Sequence, residues 1–272
     1  MKPVAPRVLA RFSAEALGFP AHATLRALQA LPDGRLAAGS DYGMVLIAGD
    51  AVQPFPFPEG ARREMRGVTA LAVRDGALHA STERGYFSWP FRGVAAGKGF
   101  PQDGAGGFDD LRTLFAGPKA LLKGWRTHLE GGEGPGECIS FCTGWQDRVF
   151  AGTLDGHLHE VDVGPVRLFE SEGRGRPVRQ LSMGAGHLWA AAAEQLWRWD
   201  GSTWSAAGSE PYALTSDGQD RLWALAEGGL WCSQVGDFPE RLALDLERPW
   251  QLGVQGEHLW VGCRGSLVKL AI

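Results

Sequence analysis

Five carboxylates recur at one place in a repeated pattern: Asp41, Glu83, Asp155, Glu194 and Glu227 each follow a short apolar run and lie in a turn. In a sixth copy Arg264 takes that place, and Arg84 stands beside Glu83. Carboxylates gathered at one mouth can hold a divalent cation that activates water, the chemistry of a metal-dependent hydrolase. The same ring can instead receive a basic partner through its field. His157 and His159 are two apart, so on a strand both rings face one side, a spacing able to bind a metal. The other copies carry no histidine there, so the ligand set is short, and neither a metal nor another cofactor is expected. Cys138, Cys142, Cys232 and Cys263 contain no C-x-x-C and read as reduced, buried thiols. G-x-S-x-G, the P-loop, the dinucleotide-binding glycines and H-E-x-x-H are all absent, so no catalytic residue is assigned.

The turns that carry these carboxylates belong to a repeat. Leu188-Trp-Ala-Ala-Ala-Ala-Glu-Gln-Leu-Trp197 recurs as Leu222-Trp-Ala-Leu-Ala-Glu-Gly-Gly-Leu-Trp231 and again from Leu259 to Val268. Weaker copies begin at Leu36, Leu78 and Val149, so the six starting residues are 42, 71, 39, 34 and 37 apart. Each copy has an apolar segment, a turn such as Pro32-Asp-Gly34, the Leu-Trp-Ala strand, a Gly-rich turn and a further apolar strand. Asp-Gly between short apolar runs signals a hairpin. Copies of this length with three or four strands each predict an all-β chain folded as a β-propeller, one domain over residues 1–272. The last copy has only three strands, 249–254, 258–263 and 266–271. The run Arg7–Phe12 is expected to supply the fourth and close the ring, which removes an exposed edge.

The gap of 71 residues is nearly two periods. The spacing predicts six blades with an insertion at about 92–136, and seven blades with one degenerate copy remains the alternative. Arg92–Gly107 is Gly-rich and reads as loop. From Pro118 onward, Leu121, Leu122, Trp125 and Leu129 fall on one face of a helix, with Lys119, Lys123 and Arg126 elsewhere. Such a helix either plugs the propeller or docks on another protein.

The pattern Leu-Trp-Ala…Gly-Leu-Trp-x-x-(Asp-Gly), clearest in Leu188–Gly201, resembles the short propeller repeat of bacterial two-component-regulator sensor domains. The resemblance implies the fold and transfers no site, because such repeats serve sensors, lectins, scaffolds and enzymes alike. Trp189, Trp223 and Trp260 share one register with Phe150, and Trp197 and Trp231 share another, which predicts packing between blades. Arg35, Arg148, His187, Arg221 and His258 share the strand-start register and read as structural.

A net charge of −4 and a pI near 6.0 argue against nucleic acid as partner. No stretch of about 18 apolar residues is present, so no membrane-spanning helix is expected. The N-terminus carries Lys2, Arg7 and Arg11 without an uninterrupted apolar region, so a cytoplasmic location is expected. The reading is therefore a non-catalytic interaction propeller, an adaptor, sensor or regulatory subunit of a bacterial assembly. It is expected to be monomeric alone and to bind another protein, not nucleic acid or membrane. Its binding residues would be Asp41, Glu83, Arg84, Asp155, Glu194, Glu227 and Arg264 at the channel mouth, or Leu121, Leu122, Trp125 and Leu129 on the helix. The alternatives are a propeller hydrolase or lactonase with a metal at the mouth and, behind it, a sugar-binding lectin.

Overall fold

The computed structural model describes residues 6–55, 67–83, 85–90, 111–125, 129–134, 137–166, 176–227, 229–233, 240–242 and 244–272. Their strands form seven antiparallel sheets, six of them meanders and the seventh a three-stranded meander completed by the N-terminal strand. Sheet one holds Leu25–Ala30, Leu36–Ser40, Gly43–Ala48 and Ala51–Pro54. Sheet two holds Ala70–Arg74, Ala77–Thr82 and Gly85–Pro90. Sheet three holds Leu111–Ala116, Leu121–Trp125 and Leu129–Glu130. Sheet four holds Cys138–Thr143, Val149–Thr153, Leu158–Glu160 and Gly164–Val166. Sheet five holds Val178–Gly184, His187–Ala192, Gln195–Trp199 and Trp204–Ser209. Sheet six holds Ala213–Ser216, Leu222–Ala226, Gly229–Ser233 and Glu240–Leu242. Sheet seven holds Pro249–Gln255, His258–Cys263 and Ser266–Ala271, joined by Arg7–Ser13.

The chain is thus the expected all-β propeller, with the alternative count of seven blades in place of six with an insertion. The missing copy is Leu121-Leu-Lys-Gly-Trp125, which starts 43 residues after Leu78 and 28 before Val149. It keeps Leu first and Gly fourth, as do Leu36–Gly39 and Leu259–Gly262, but lacks the aromatic and the small residues between. The expected helix is corrected with it: no α-helix occurs among the described residues. Pro118 sits in the turn between the first two strands of sheet three rather than at a helix start. Leu121 is half-buried, Leu122 buried and Lys123 half-buried, the alternation of a strand. Leu129 lies on the next strand, opposite Gly124, while Lys123 faces Glu130 and binds it at 2.8 Å. The apparent helical face was therefore two strands read as one period. Of the expected insertion, residues 92–110, 126–128 and 135–136 lie outside the described residues.

Two compact units divide the chain, one of Pro6–Ala116 with Leu246–Ile272 and one running from Gly117 to Asp245. In the first, Leu25–Ala30 lies against both Pro249–Gln255 and Ala70–Arg74. Leu36 and Ala38 enter one core cluster with Ile47, Trp260 and Leu267. Ala37 enters another with Leu46, Leu78 and Trp89. Both faces of the strand are buried, so the whole run is small and apolar instead of alternating. Gly39 is required by this packing, since a Cβ there would collide with Cγ1 of Val68. The N-terminal strand pairs as expected, from Arg7 opposite Ala271 to Ser13 opposite Ser266, with a bulge at Leu9. Phe12 is buried and stacks on Trp260, with centroids 6.1 Å apart.

In the second unit, Val178–Gly184 lies against both Cys138–Thr143 and Ala213–Ser216. Phe150, Leu158, Val178 and Leu188 form one cluster, and Trp189, Leu196, Leu222 and Ala224 another. Trp189 and Trp223 here, and Trp260 in the first unit, are fully buried, as a packing register requires. All four cysteines are buried and unbridged. Burial, helped by Asp155, raises the Cys138 thiol to about 11, and burial raises Cys142 further.

Trp125 is 9% exposed, and its indole donates to Glu130 Oε2 at 3.0 Å. Trp125→Ala should therefore cost about 3–5 kcal/mol, as for a core aromatic. A thermal melt should show a fall on the order of 10 °C. An unchanged melt would return Trp125 to the list of docking residues.

Candidate functional site

In a meander the turn after the second strand and the linker entering the first strand lie at the same end of the sheet. Each carboxylate singled out above lies at this second-turn end of its own sheet. In the first unit, Asp41 lies in the turn before Gly43 and is ion-paired with Arg26. Its neighbour Tyr42 is exposed, and its hydroxyl lies 2.5 Å from Nε2 of His22. Glu83 is exposed, and its backbone N–H donates to the Gly67 carbonyl at 3.1 Å. Gly67 has φ +67 and lies so close under the Glu83 side chain that a Cβ there would collide with it. Arg264 is exposed, and Arg84 lies outside the described residues.

In the second unit, Asp155 accepts a hydrogen bond from the Thr153 hydroxyl and pairs with His157 Nδ1 at 3.0 Å. The Thr153 bond first, and then His157, hold its carboxyl below the usual value against the opposing effect of burial. Glu194 is ion-paired with Arg176, and its backbone N–H donates to Glu210 Oε2 at 3.0 Å. Glu227 is exposed. His157 and His159 have centroids 6.3 Å apart, and burial, then the His157 charge, lower the His159 value. Among the described residues no three His, Cys, Asp or Glu side chains converge as a metal site would need. The turn carboxylates of each unit occupy equivalent positions in separate sheets, and several are engaged by partners of their own.

One feature of this end escaped the sequence reading. In four sheets the first strand carries a bulge at its second residue, which leaves Arg26, Ile139, Arg179 and Trp250 outside the ladder. Bulges re-aim side chains and concentrate beside functional sites. Arg26 and Arg179 reach carboxylates, Asp41 and Glu210, the latter at 3.6 Å. Trp250 projects into solvent at 55% exposure. The available signal was local: Leu25-Arg-Ala27, Val178-Arg-Gln-Leu181 and Pro249-Trp-Gln-Leu252 each break strand alternation at that residue.

The opposite, first-turn end accounts for the repeated basic register. Arg35 binds Asp33 of its own turn at 2.8 Å, Arg221 binds Asp217 at 2.7 Å, and Arg148 binds Glu160 at 2.7 Å. Arg148 also lies 5.2 Å over Phe150, and Arg221 5.3 Å over Trp223. These arginines close turns and cover core rings. Beside Arg148 in the second unit is an open cleft of about 260 Å³, lined by Pro118, Lys119, Leu122, Glu160 and Val163 among others. Its Arg148–Glu160 pair is mutually satisfied.

The fold is shared with solved structures of low sequence identity. The extracellular domain of the one-component system BT4673 from B. thetaiotaomicron matches with TM-score 0.75 and 16% identity, over 98% of this chain and 40% of that one. The extracellular domain of the hybrid two-component system BT3049 from the same organism matches with TM-score 0.71 and 12% identity, over 98% and 42%. A catalytically inactive virginiamycin B lyase from Staphylococcus aureus matches with TM-score 0.71 and 12% identity, over 98% of each chain. No family model and no curated protein matches the sequence. The chain is a β-propeller of the kind seen in bacterial sensor domains and spans about two fifths of those domains. The expectation of a cytoplasmic location is corrected by these matches, since the BT4673 and BT3049 propellers are extracellular domains. The pattern of charges near the N-terminus carried no information on that point.

Proposed function

We propose that this propeller is a non-catalytic binding module, a sensor or regulatory part of a bacterial assembly, that engages another protein through its second-turn end. The observation that carries the reading is the repeated bulge, which holds Arg26, Arg179 and Trp250 out of their ladders beside the exposed turn residues. Propellers of similar fold form the extracellular parts of sensor systems. The similarity to a lyase keeps an enzymatic reading in view. That reading would draw on the turn carboxylates, yet Asp41, Asp155 and Glu194 are already engaged by Arg26, Thr153 with His157, and Arg176.

Affinity capture from the source organism, followed by mass spectrometry, tests the proposal. The wild-type chain should retain a specific protein. The double variant Glu194→Lys/Glu227→Lys, altered only at exposed turn residues, should lose it, while Lys119→Glu at the other end should not. Equal capture by all three proteins, and by a further variant altered at the second-turn residues Arg248 and Arg264, would defeat the reading. Metal analysis of the purified protein provides the second arm. No stoichiometric divalent cation is expected, and one tightly held ion per chain, lost with Asp155→Asn, would favour the enzyme.

A further inference from the structure

Trp250 is the most exposed aromatic side chain of the described core-type residues, and no hydrogen bond or ring contact holds it. It is the extra residue of its strand: Pro249 pairs with Cys263 and Gln251 with Gly262. Just before it, Arg248 adopts φ 44, a left-handed conformation that is uncommon for a long side chain. The turn lets the Arg248 carbonyl accept the Arg264 N–H at 3.1 Å. Arg264 in turn bridges to Thr24. Arg248, Arg264 and Thr24 therefore run in a row at the second-turn end of the first unit, with Trp250 beside the row's start.

This corner presents positive charge to solvent. Arg248 and Arg264 are both exposed, and neither forms an ion pair among the described residues. Arg26, two residues beyond Thr24, is held by Asp41. Glu247 precedes Arg248, and the charges of Glu247 and Arg11 both reach the Cys263 thiol. Arg248 and Arg264 thus present two exposed guanidiniums in the same corner as an indole in water. Arginine forks bind carboxylates through two parallel hydrogen bonds, and an exposed indole gains from a flat apolar cover. Tryptophan and arginine are also the residue types that dominate binding energy at protein interfaces.

We propose that Arg248, Trp250 and Arg264 form a docking site for an acidic stretch of a partner protein. Carboxylate side chains of the partner meet the two guanidiniums, and an apolar side chain between them lies on the Trp250 indole. The proposal rests on the reading that the second-turn end binds protein, and it names the chemistry of that partner.

The probe is a short fluorescein-labelled peptide alternating Glu and Phe, with a Lys and Phe counterpart, titrated against the full chain by fluorescence anisotropy. The Glu peptide should bind, and raising the ionic strength from about 50 to about 200 mM should weaken it several-fold. Trp250→Ala, and separately Arg248→Glu/Arg264→Glu, should each weaken it by about tenfold or more. Both variants alter exposed side chains, so their melts should match wild type, which separates lost binding from lost folding. No binding at millimolar peptide, equal binding of both peptides, or binding indifferent to the variants would overturn the site. So would tighter binding of polygalacturonate, an anionic carbohydrate, than of the Glu peptide. In the capture experiment, loss with Glu194→Lys/Glu227→Lys but not with Arg248→Glu/Arg264→Glu would remove this site and leave the broader reading standing. Capture indifferent to both would remove the broader reading itself.

Discussion

A chain lacking residues 1–13 should melt more than about 10 °C below the full chain or fail to remain soluble. The deletion removes the outer strand of sheet seven, whose partners run from Ala271 to Ser266. It also removes Phe12, which is buried and stacked on Trp260. Loss of a buried aromatic alone costs about 3–5 kcal/mol, and the strand's backbone bonds add about 1 kcal/mol each. That is a large share of the roughly 5–15 kcal/mol by which a folded domain is stable. The strand Ser266–Ala271 would be left with an unpaired edge, a template for association with other chains. Size-exclusion chromatography should therefore show higher oligomers even where the melt can still be followed. Phe12→Ala separates the two contributions: it should lower the melt while leaving the edge paired and the chain monodisperse. A truncated chain with an unchanged melt and a single monomeric peak would show that sheet seven does not depend on this strand.

The closing strand was legible because its hydrophobic pattern has no other place in the repeat, and because the last copy visibly lacks a strand. Six blades were legible for a similar reason. Leu188-Trp-Ala190, Leu222-Trp-Ala224 and Leu259-Trp-Val261 put a large ring and small residues at one register, as a strand buried on both faces demands. The seventh was hidden because Leu121-Leu-Lys-Gly-Trp125 fills that register with Leu and Lys, and its Lys123 finds its partner across the hairpin in Glu130. With Pro118 ahead of it, the same residues satisfy a helical period equally well. Periodicity over so few residues does not separate two short strands from one helix.

The candidate site was legible in position and not in chemistry. Turn carboxylates can be placed by counting, since each follows the start of its copy by five or six residues. What each carboxylate does depends on residues far off in sequence: Arg26 meets Asp41, and Arg176 meets Glu194. The bulges depend on how two strands register against each other, so Trp250 looked like one more aromatic outside the repeat. Its exposure is a property of the pairing between Pro249–Gln255 and His258–Cys263 and not of its own neighbours in the chain.

Asp217→Ala should destabilise the protein by about 3–5 kcal/mol, the range for removing one partner from a buried charged pair. The Asp217 side chain is 2% exposed. It accepts hydrogen bonds from the Trp223 indole at 2.8 Å, the Arg221 guanidinium at 2.7 Å and the Gln219 N–H at 2.9 Å. Its removal leaves the buried indole N–H and the Arg221 charge without their acceptor, and Trp223 is among the largest fully buried side chains. Burial pushes the Asp217 carboxyl up, but the bonds from Trp223, Gln219 and Arg221 outweigh it and leave the group below its ordinary value. A carboxylate lowered on folding adds stability above its unfolded value, about 3.9, and loses it as the pH falls through the lower folded value. Urea midpoints should therefore fall more steeply for wild type than for Asp217→Asn between about pH 5 and about pH 2. Asp33 and Asp155 are lowered too, Asp33 chiefly by its bond to Arg35 and Asp155 by its bond to Thr153. Both are kept in the variant, so the difference between the two slopes isolates Asp217. Equal slopes, with the Asn variant weaker by the same amount at every pH, would mean that Asp217 matters as a hydrogen-bond acceptor for Trp223 and not as a charge for Arg221.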